Sequence, residues 1–284
     1  LFQNIDWGGE NVLRKTLQNA AADDLSVDQL APLSDVDNAE DLIACRKNAA
    51  AFQDVLPAVE PGLLSVVIPV LNEESTLAAA ITPLRQLPGL EIIVADGGST
   101  DRTCEIAESL GATVVRCSRG RGKQMNAGAA LARGEVLLFL HADACLPIGF
   151  QHEVWSILRD ADPAGGAFRL RIVGRNPLLR LVEFGANLRS RWLQLPYGDQ
   201  ALFVRADTFF QLDGFRTWPL MEDFEFCQRL RTVGTIRLAA SAVTVSARRW
   251  KQLGIVRTTL INQLCIVGFR LGVSPQKLRS FYSR

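Results

Sequence analysis

The chain has 284 residues, 48% of them hydrophobic and 21% charged, which supports one large domain with an appendage and excludes a disordered chain. Lys and Arg number 31 against 30 Asp and Glu, a formal net charge of +1 that argues against a nonspecific polyanion binder, so no nucleic-acid partner is expected.

The first stretch, Leu1 to about Leu42, is polar and turns acidic. It reads as one helix from Glu10 to Ala22 followed by a short extended piece, too little to bury a core of its own. The chain starts at Leu1 rather than Met and lacks a signal-peptide pattern, so residues 1–48 are expected to belong to something longer. Residues 49–62, Ala-rich with Pro57 and Pro61, read as a linker. From Leu63 the pattern changes. Leu64–Val70, Ile92–Ala95, Thr113–Arg116 and Val136–Leu140 are apolar, β-branched runs of the kind buried on both faces of a parallel sheet. Helical patterns lie between them, over Glu73–Gln86, Asp101–Leu110 and Lys123–Ala132. The alternation predicts an α/β fold over 63–250, a mixed, mostly parallel sheet flanked by helices, with a helical tail over 251–284.

Ligands of such sheets bind beyond the carboxyl ends of the strands. Those positions hold Asn72-Glu73-Glu74, Asp96 to Asp101, and His141-Ala142-Asp143, so three strand ends present carboxylates to one rim. Asn72, Thr100 and Asp101 can equally cap the helices that follow. Asp96 and Asp143 directly follow apolar strands, where a bare carboxylate needs a partner. Converging carboxylates suit a hard cation, Mg²⁺ or Mn²⁺, which takes oxygen ligands and keeps waters and substrate phosphates. Arg119-Gly120-Arg121-Gly122-Lys123 puts positive charge on flexible backbone at a helix start; it reads as an anion site or as an ordinary solvated loop. Gln124 stands where a P-loop requires Ser or Thr, and no GxGxxG follows the first strand. His141 and His152 have no Cys or His partner at ligand spacing, which argues against a zinc site.

Farther along come a basic amphipathic segment over Asn176–Trp192 and a Pro-Tyr-Gly turn that carries Asp199 and Gln200 into the apolar run Ala201–Val204. Glu222 and Asp223 open a helix to Leu230, either as a pair complementing its dipole or as working carboxylates. Cys45, Cys104, Cys117, Cys145, Cys227 and Cys265 are scattered without a CxxC pair and read as small buried residues in a reducing compartment. The most apolar late stretch, 254–273, is interrupted by Arg257, Asn262, Gln263 and Arg270. A cytoplasmic protein is expected, with peripheral contact at the inner face of the cell membrane through that stretch.

Several of these motifs carry a resemblance. Val67 to Glu73, Asp96 to Asp101, Gly120 to Asn126 and Leu140 to Asp143 resemble the nucleotide-sugar half of family 2 glycosyltransferases of the GT-A fold; Met221-Glu222-Asp223 resembles their acceptor-side Glu-Asp motif. The likeness runs from Leu63 to about Trp250. It implies metal-assisted transfer, with inversion, of a glycosyl group from a nucleoside diphosphate sugar to an acceptor hydroxyl on a small molecule or lipid. Pro69, Asn72 and Glu73 would then line the base and ribose pocket, Asp96 with Gly97 would meet the base edge, and Arg121, Lys123 and Asn126 would serve the same nucleotide. His141-Ala142-Asp143 stands where the family has Asp-x-Asp, which implies that Asp143 holds the divalent metal on the diphosphate while His141 replaces the first Asp. Asp223 would be the general base, with Glu222 beside it, and Asp199 and Gln200 would face the sugar or acceptor. Arg249 and Trp250 match the end of the Gln-x-x-Arg-Trp motif of processive members, but Ser246 replaces its Gln, so no polymerase is inferred. Arg180, Arg189 and Arg191 read as a solvated helix face or as the receiver of a lipid or anionic acceptor.

Pro196 to Val204 and Ser246 to Trp250 resemble a bacterial subgroup associated with radical-SAM genes and arsenosugar biosynthesis. Residues 1–48 resemble the tail of a nucleotidyltransferase-like GT-A domain and are assigned no catalysis. Two rival readings remain: a nucleotidyltransferase acting on a sugar phosphate, and a non-catalytic nucleotide-sugar-binding protein. Glu222-Asp223 separates the first, because phosphoryl chemistry on a bound nucleotide needs no acceptor-side base there.

Overall fold

The computed structural model describes residues 59–160 and 162–282. The expected helix Glu10–Ala22, the appendage 1–48 and most of the linker lie outside the described residues. The first strand, β1 (Glu60–Val70), starts a little before the apolar run. Residues Leu64 to Ile68 in it are buried without a break, as a strand covered on both faces requires. β2 (Leu90–Asp96) and β4 (Gly134–Phe139) pair with it in parallel on its two sides, and β3 (Thr113–Arg116) extends the sheet beyond β2. The register sets Val70 opposite Asp96 and Val67 opposite Phe139, so the chain leaves these strands toward one rim.

Beyond β4 the sheet becomes mixed. β7 (Phe203–Arg205) runs antiparallel to β4 and to β6 (Pro163–Ile172), which pairs in parallel with β8 (Thr235–Val245). The short β5 (Ala144–Cys145) closes on β8, giving the order β3-β2-β1-β4-β7-β6-β8-β5. Alternate residues of β1 feed two cores. Val66 and Ile68 join Phe150, Val154 and Phe168 on one face; Val67 joins Ile93, Met125 and Phe139 on the other. Rings of Phe139, Phe209, Phe215 and Phe226 stack at centroid separations of 4.7–5.4 Å in the second core.

Helices cover both faces. The first, α1 (Leu77–Ile81), is shorter than the expected Glu73–Gln86. Pro83 has no N–H to donate to Ala79 O, which accepts from Cys145 Sγ instead, and the chain passes into turns after Ile81. Its N-terminal side is replaced by a turn in which Thr76 Oγ1 donates to the Glu73 carboxylate. Next, α2 (Thr103–Ser109) follows Asp101, whose Oδ1 accepts from Thr103 N at 3.0 Å; the capping alternative is thus realised there. In α3 (Arg121–Leu131) the backbone turns helical two residues earlier than expected, after Gly120 at φ 142°, a left-handed value that favours glycine. The helices α4 (Phe150–Leu158), α5 (Pro177–Leu193), α6 (Ala206–Gln211) and α7 (Glu222–Leu230) follow. α5 realises the amphipathic segment, with Pro177 at its start and Asn176 Oδ1 accepting from Leu178 N. The tail forms α8 (Arg248–Leu253), α9 (Ile255–Arg270) and α10 (Pro275–Tyr282). Cys227 and Cys265 are buried, Cys104, Cys117 and Cys145 are part-buried, and all five are free thiols; Cys45 lies outside the described residues.

Candidate active site

A cleft of about 870 Å³ opens along the rim where β1 and β4 end. Of the residues singled out by sequence, Pro69, Glu73, Arg121, Lys123, His141, Asp143, Asp199, Glu222, Asp223, Arg249 and Trp250 line it. They come from β1, the start of α3, the β4–β5 turn, the 197–200 turn, the start of α7, and α8. A sheet that sends parallel strands to one edge is what brings them together.

The others stand behind this wall as supports. Asn72, at φ 55°, accepts from Thr100 N through Oδ1 at 2.8 Å, while its own N–H donates to Ser99 Oγ at 2.9 Å. Asp96 is buried and takes the backbone N–H groups of Gly98 and Ser99, the partners that a carboxylate leaving an apolar strand requires. Gly97 lies so close to Gln124 that a Cβ there would stand 3.0 Å from its amide. Asn126 holds Phe215 from both sides, donating to its carbonyl at 2.8 Å and accepting from its N–H at 2.9 Å. Gln200 is fully buried; its Oε1 accepts from Ser190 Oγ and Arg189, and its Nε2 donates to Phe168 O. Arg189 also stacks 3.4 Å above the Tyr197 ring and donates to Leu195 O; Arg180 is bonded to the carbonyls of Ile172 and Gly174.

The carboxylates of the wall differ in environment. Glu222 and Asp223 occupy the first turn of α7, entered through Met221 at φ 70°. Asp223 Oδ2 accepts from Gly198 N and Oδ1 from Phe224 N, both at 2.7 Å, so its orientation is fixed by backbone. Burial raises Glu222 well above the usual carboxylate range against the opposing pull of Arg121, whose guanidinium lies 3.7 Å away. Asp199 is pushed up to about 6 by burial, and its Oδ1 is buried without a hydrogen-bond partner. Asp143 is raised by burial and then by Glu73, while Arg248 pulls the other way. That arginine bridges both Glu73 oxygens at 3.0 and 3.1 Å. Burial, then Arg121, depress His141 to about 3, so the imidazole is neutral, and its Nε2 is buried without a partner.

Asp143 offers a carboxylate on the cleft wall, the oxygen donor that Mg²⁺ or Mn²⁺ takes; the unpartnered His141 Nε2 is a buried nitrogen beside Gly198. Among the described residues no three His, Cys, Asp or Glu side chains converge to hold a metal, so phosphate oxygens and water must supply most of the coordination.

Sequence reasoning missed part of the wall. Gln124 lines the cleft and donates from Nε2 to Val70 O at 2.7 Å and Ala95 O at 3.0 Å, tying the ends of β1 and β2 to α3. Thr258, Asn262 and Cys265 of α9 and Arg279 and Tyr282 of α10 close the opposite side. Tyr282 lies under Arg249, 3.9 Å from guanidinium carbon to ring centre. The available signal was Thr258 and Asn262, four residues apart and so on one face of α9.

Residues 65–217 match the model of the family described as glycosyl transferase family 2. A protein of Mycobacterium tuberculosis named PGL/p-HBAD biosynthesis glycosyltransferase is 39% identical over 215 residues, covering 71% of this chain and 81% of the relative. The chain belongs to glycosyl transferase family 2. Its relatives in that family support glycosyl transfer as its chemistry. The glucosyl-3-phosphoglycerate synthase of Mycolicibacterium paratuberculosis is 35% identical over a shorter 96 residues, 30% of this chain and 29% of that one. Among solved structures, S. aureus TarS 1–349 in complex with UDP-GlcNAc superposes with a TM-score of 0.53 at 20% identity, covering 65% of this chain and 58% of that one. The chain spans 39% of the longer TarS chain. The mannosyltransferase PcManGT from Pyrobaculum calidifontis, solved with GDP-Man and Mn²⁺, gives 0.52 at 17% identity, with 86% and 80% covered. These likenesses establish the GT-A-type fold.

Proposed function

We propose that the chain moves a glycosyl group, with inversion, from a nucleoside diphosphate sugar to an acceptor hydroxyl. One observation carries the reading: a single cleft is lined both by a backbone-oriented carboxylate, Asp223, and by the cationic side chains Arg121, Lys123 and Arg249. Inverting transfer needs both, a base on the acceptor face and charge neutralisation on the departing diphosphate.

Pro69 and Glu73 on the wall, with Asn72 and Asp96 behind it, form the base and ribose side. Asp143, with His141 adjacent, would hold Mg²⁺ or Mn²⁺, and that ion when bound lowers the barrier by neutralising the diphosphate as it leaves. Arg121 and Lys123 meet the same phosphates at the start of α3, where backbone N–H groups and the helix dipole also favour anions. Asp223 takes the hydroxyl proton as the acceptor oxygen bonds to the anomeric carbon, and the carbon–oxygen bond to the diphosphate breaks on the opposite side. Glu222, buried against Arg121, keeps that guanidinium at the junction of phosphate and acceptor. Asp199, next to the Gly198 amide that orients Asp223, faces the sugar or acceptor. The mycobacterial relative is named for PGL/p-HBAD biosynthesis; here the acceptor hydroxyl is borne by a small molecule or a lipid. In the domain plan that goes with this reading, 63–250 is the catalytic unit, 251–284 its closing tail, and 1–48 carries no catalysis.

The deciding experiment presents UDP-, GDP- and dTDP-sugars with Mg²⁺ or Mn²⁺ and measures released nucleoside diphosphate. Release that depends on one sugar nucleotide and a metal is expected. No binding or turnover of any of them would remove the transferase reading, and pyrophosphate formed from a nucleoside triphosphate and a sugar phosphate would replace it with nucleotidyl transfer.

A further inference from the structure

The helices α5 and α9 pack against each other, and each leaves an apolar stripe in solvent. On α9 the stripe is Val256, Leu260, Leu264 and Val267, continued by Leu271, a spacing of four, four, three and four that keeps it on one face. On α5 it is Leu178, Leu181, Phe184, Leu188 and Trp192. Phe184 is 65%, Trp192 74% and Leu271 79% exposed. A soluble surface scatters such residues singly; two adjacent stripes form a patch that requires a partner.

Charge selects that partner. From Arg248 to Arg284 the sequence contains Arg and Lys but no Asp or Glu, and α5 carries one acidic residue, Glu183. The Glu183 carboxylate is turned inward, accepting from Ile172 N and pairing with Arg180. Exposed Arg175, Arg191 and Arg270 flank the stripes. Apolar stripes flanked by exposed cationic side chains match the boundary of an anionic bilayer, where acyl chains receive the Leu, Phe and Trp side chains and phosphates the arginines. Among the described residues no helix is long and apolar enough to cross a membrane, so the contact is one of lying on the surface.

α9 is also a wall of the cleft. Thr258, Asn262, Cys265 and Ile266 line it, and at 100° per residue they sit on the side of the helix opposite the exposed stripe. We infer that α5 and α9 together dock the protein on an anionic lipid surface and that the acceptor hydroxyl is borne by a lipid of that surface. With α9 lying on the bilayer, only one helix diameter, about 10 Å, separates the cleft from the headgroups. The inference about the acceptor rests on the transferase reading; the docking does not.

The test is flotation of the full chain with phosphatidylcholine vesicles and with vesicles containing phosphatidylglycerol. It is run beside sugar-nucleotide binding and light-scattering mass, for the wild type and for two variants, Leu260→Glu/Leu264→Glu on α9 and Leu181→Glu/Phe184→Glu on α5. All four side chains are solvent-exposed, so the folded chain tolerates the changes. The expected result is flotation with anionic vesicles that weakens as salt is raised and falls on the order of tenfold or more in each variant, with nucleotide affinity unchanged. Absence of flotation, or flotation indifferent to both variants, overturns the docking while leaving transfer standing. A dimer in solution that both variants dissolve assigns the face to a second copy and overturns it too. Flotation without sugar-nucleotide binding would retain the surface and sink the transferase reading.

Discussion

Asp223, at the start of α7, and Asp199, in the 197–200 turn, line one cleft and are held in opposite ways. Both oxygens of Asp223 receive backbone N–H groups, whereas Asp199 Oδ1 is buried with none. Asp223→Asn keeps the shape but cannot take the hydroxyl proton. Transfer should fall by roughly 10²–10⁴-fold while sugar-nucleotide affinity stays within about threefold, as read by steady-state kinetics and calorimetry. Loss of nucleotide binding instead would place Asp223 on the donor side. Asp199 predicts a pH effect. Its carboxyl is held at about 6 in the fold against an ordinary 3.8, so the folded chain binds this proton more tightly than the unfolded one. Below 3.8 the group is neutral in both states and costs nothing; as pH rises through about 6 it ionises in place and stability is lost. Asp199→Asn removes that loss. It should raise stability on the order of 1–2 kcal/mol at pH 8 and leave it unchanged at pH 4, and melts showing the same gain at both pH values would mean that the aspartate is stabilised by a partner.

At the scale of elements, α3 decides whether the rim is assembled. Its Gly122 passes Arg216 so closely that a Cβ would come 2.4 Å from the Arg216 carbonyl oxygen, and Glu222 Cβ lies 3.6 Å from the same point. Gly122→Ala should therefore displace the segment that leads into α7. The expected cost is about 1–3 kcal/mol of stability from overpacking, with kcat lowered more than nucleotide affinity because Glu222 and Asp223 move with the segment. A variant as stable and active as the wild type would show that this approach is not needed. Gln124, two residues further along, is a clamp of another kind. Gln124→Leu strips its two amide bonds to the ends of β1 and β2; Val70 O keeps the Gly97 N–H, so the loss of these two bonds predicts about 1–3 kcal/mol of destabilisation, measurable by urea unfolding. The strands themselves were legible in the sequence because a parallel strand covered on both faces must be an unbroken apolar run, and the carboxylates that follow such runs were legible for the same reason. What the sequence could not separate was wall from support. Asn126 and Phe215 are joined across 89 residues and Asn72 and Thr100 across 28, and only the folded sheet shows that these polar side chains spend their hydrogen bonds on backbone. Helix ends were legible only roughly, since Pro83 and Gly120 set them by backbone geometry rather than by periodicity.

For the whole molecule, the near-zero net charge conceals a separation along the chain. Two strand-end loops contribute Glu73 and Asp143, the 197–200 turn Asp199 and the start of α7 Glu222 and Asp223, and the acid-free tail lines the same cleft. Arg248 reaches Glu73 across 175 residues, α9 closes one side, and α10 adds Arg279 and Tyr282. None of this was readable beforehand, because an amphipathic helix declares that it has two faces but not which of them will meet a cleft. The main contacts of α10 are with α9, where its buried Leu278 packs against Gly268. Ending the chain after Ser274 should consequently leave one cooperative unfolding transition, while the diphosphate loses Arg279 and Arg249 loses the ring beneath it. One charge-assisted contact and one cation–π contact together predict about 2–4 kcal/mol, or 30-fold to several hundred-fold weaker sugar-nucleotide binding. Arg279→Met in the full chain isolates the first part and should reproduce roughly 10-fold or more of that loss without altering the melting temperature. If neither change touches the affinity, the tail is a lid over an already complete site, and the cationic wall ends at Arg249.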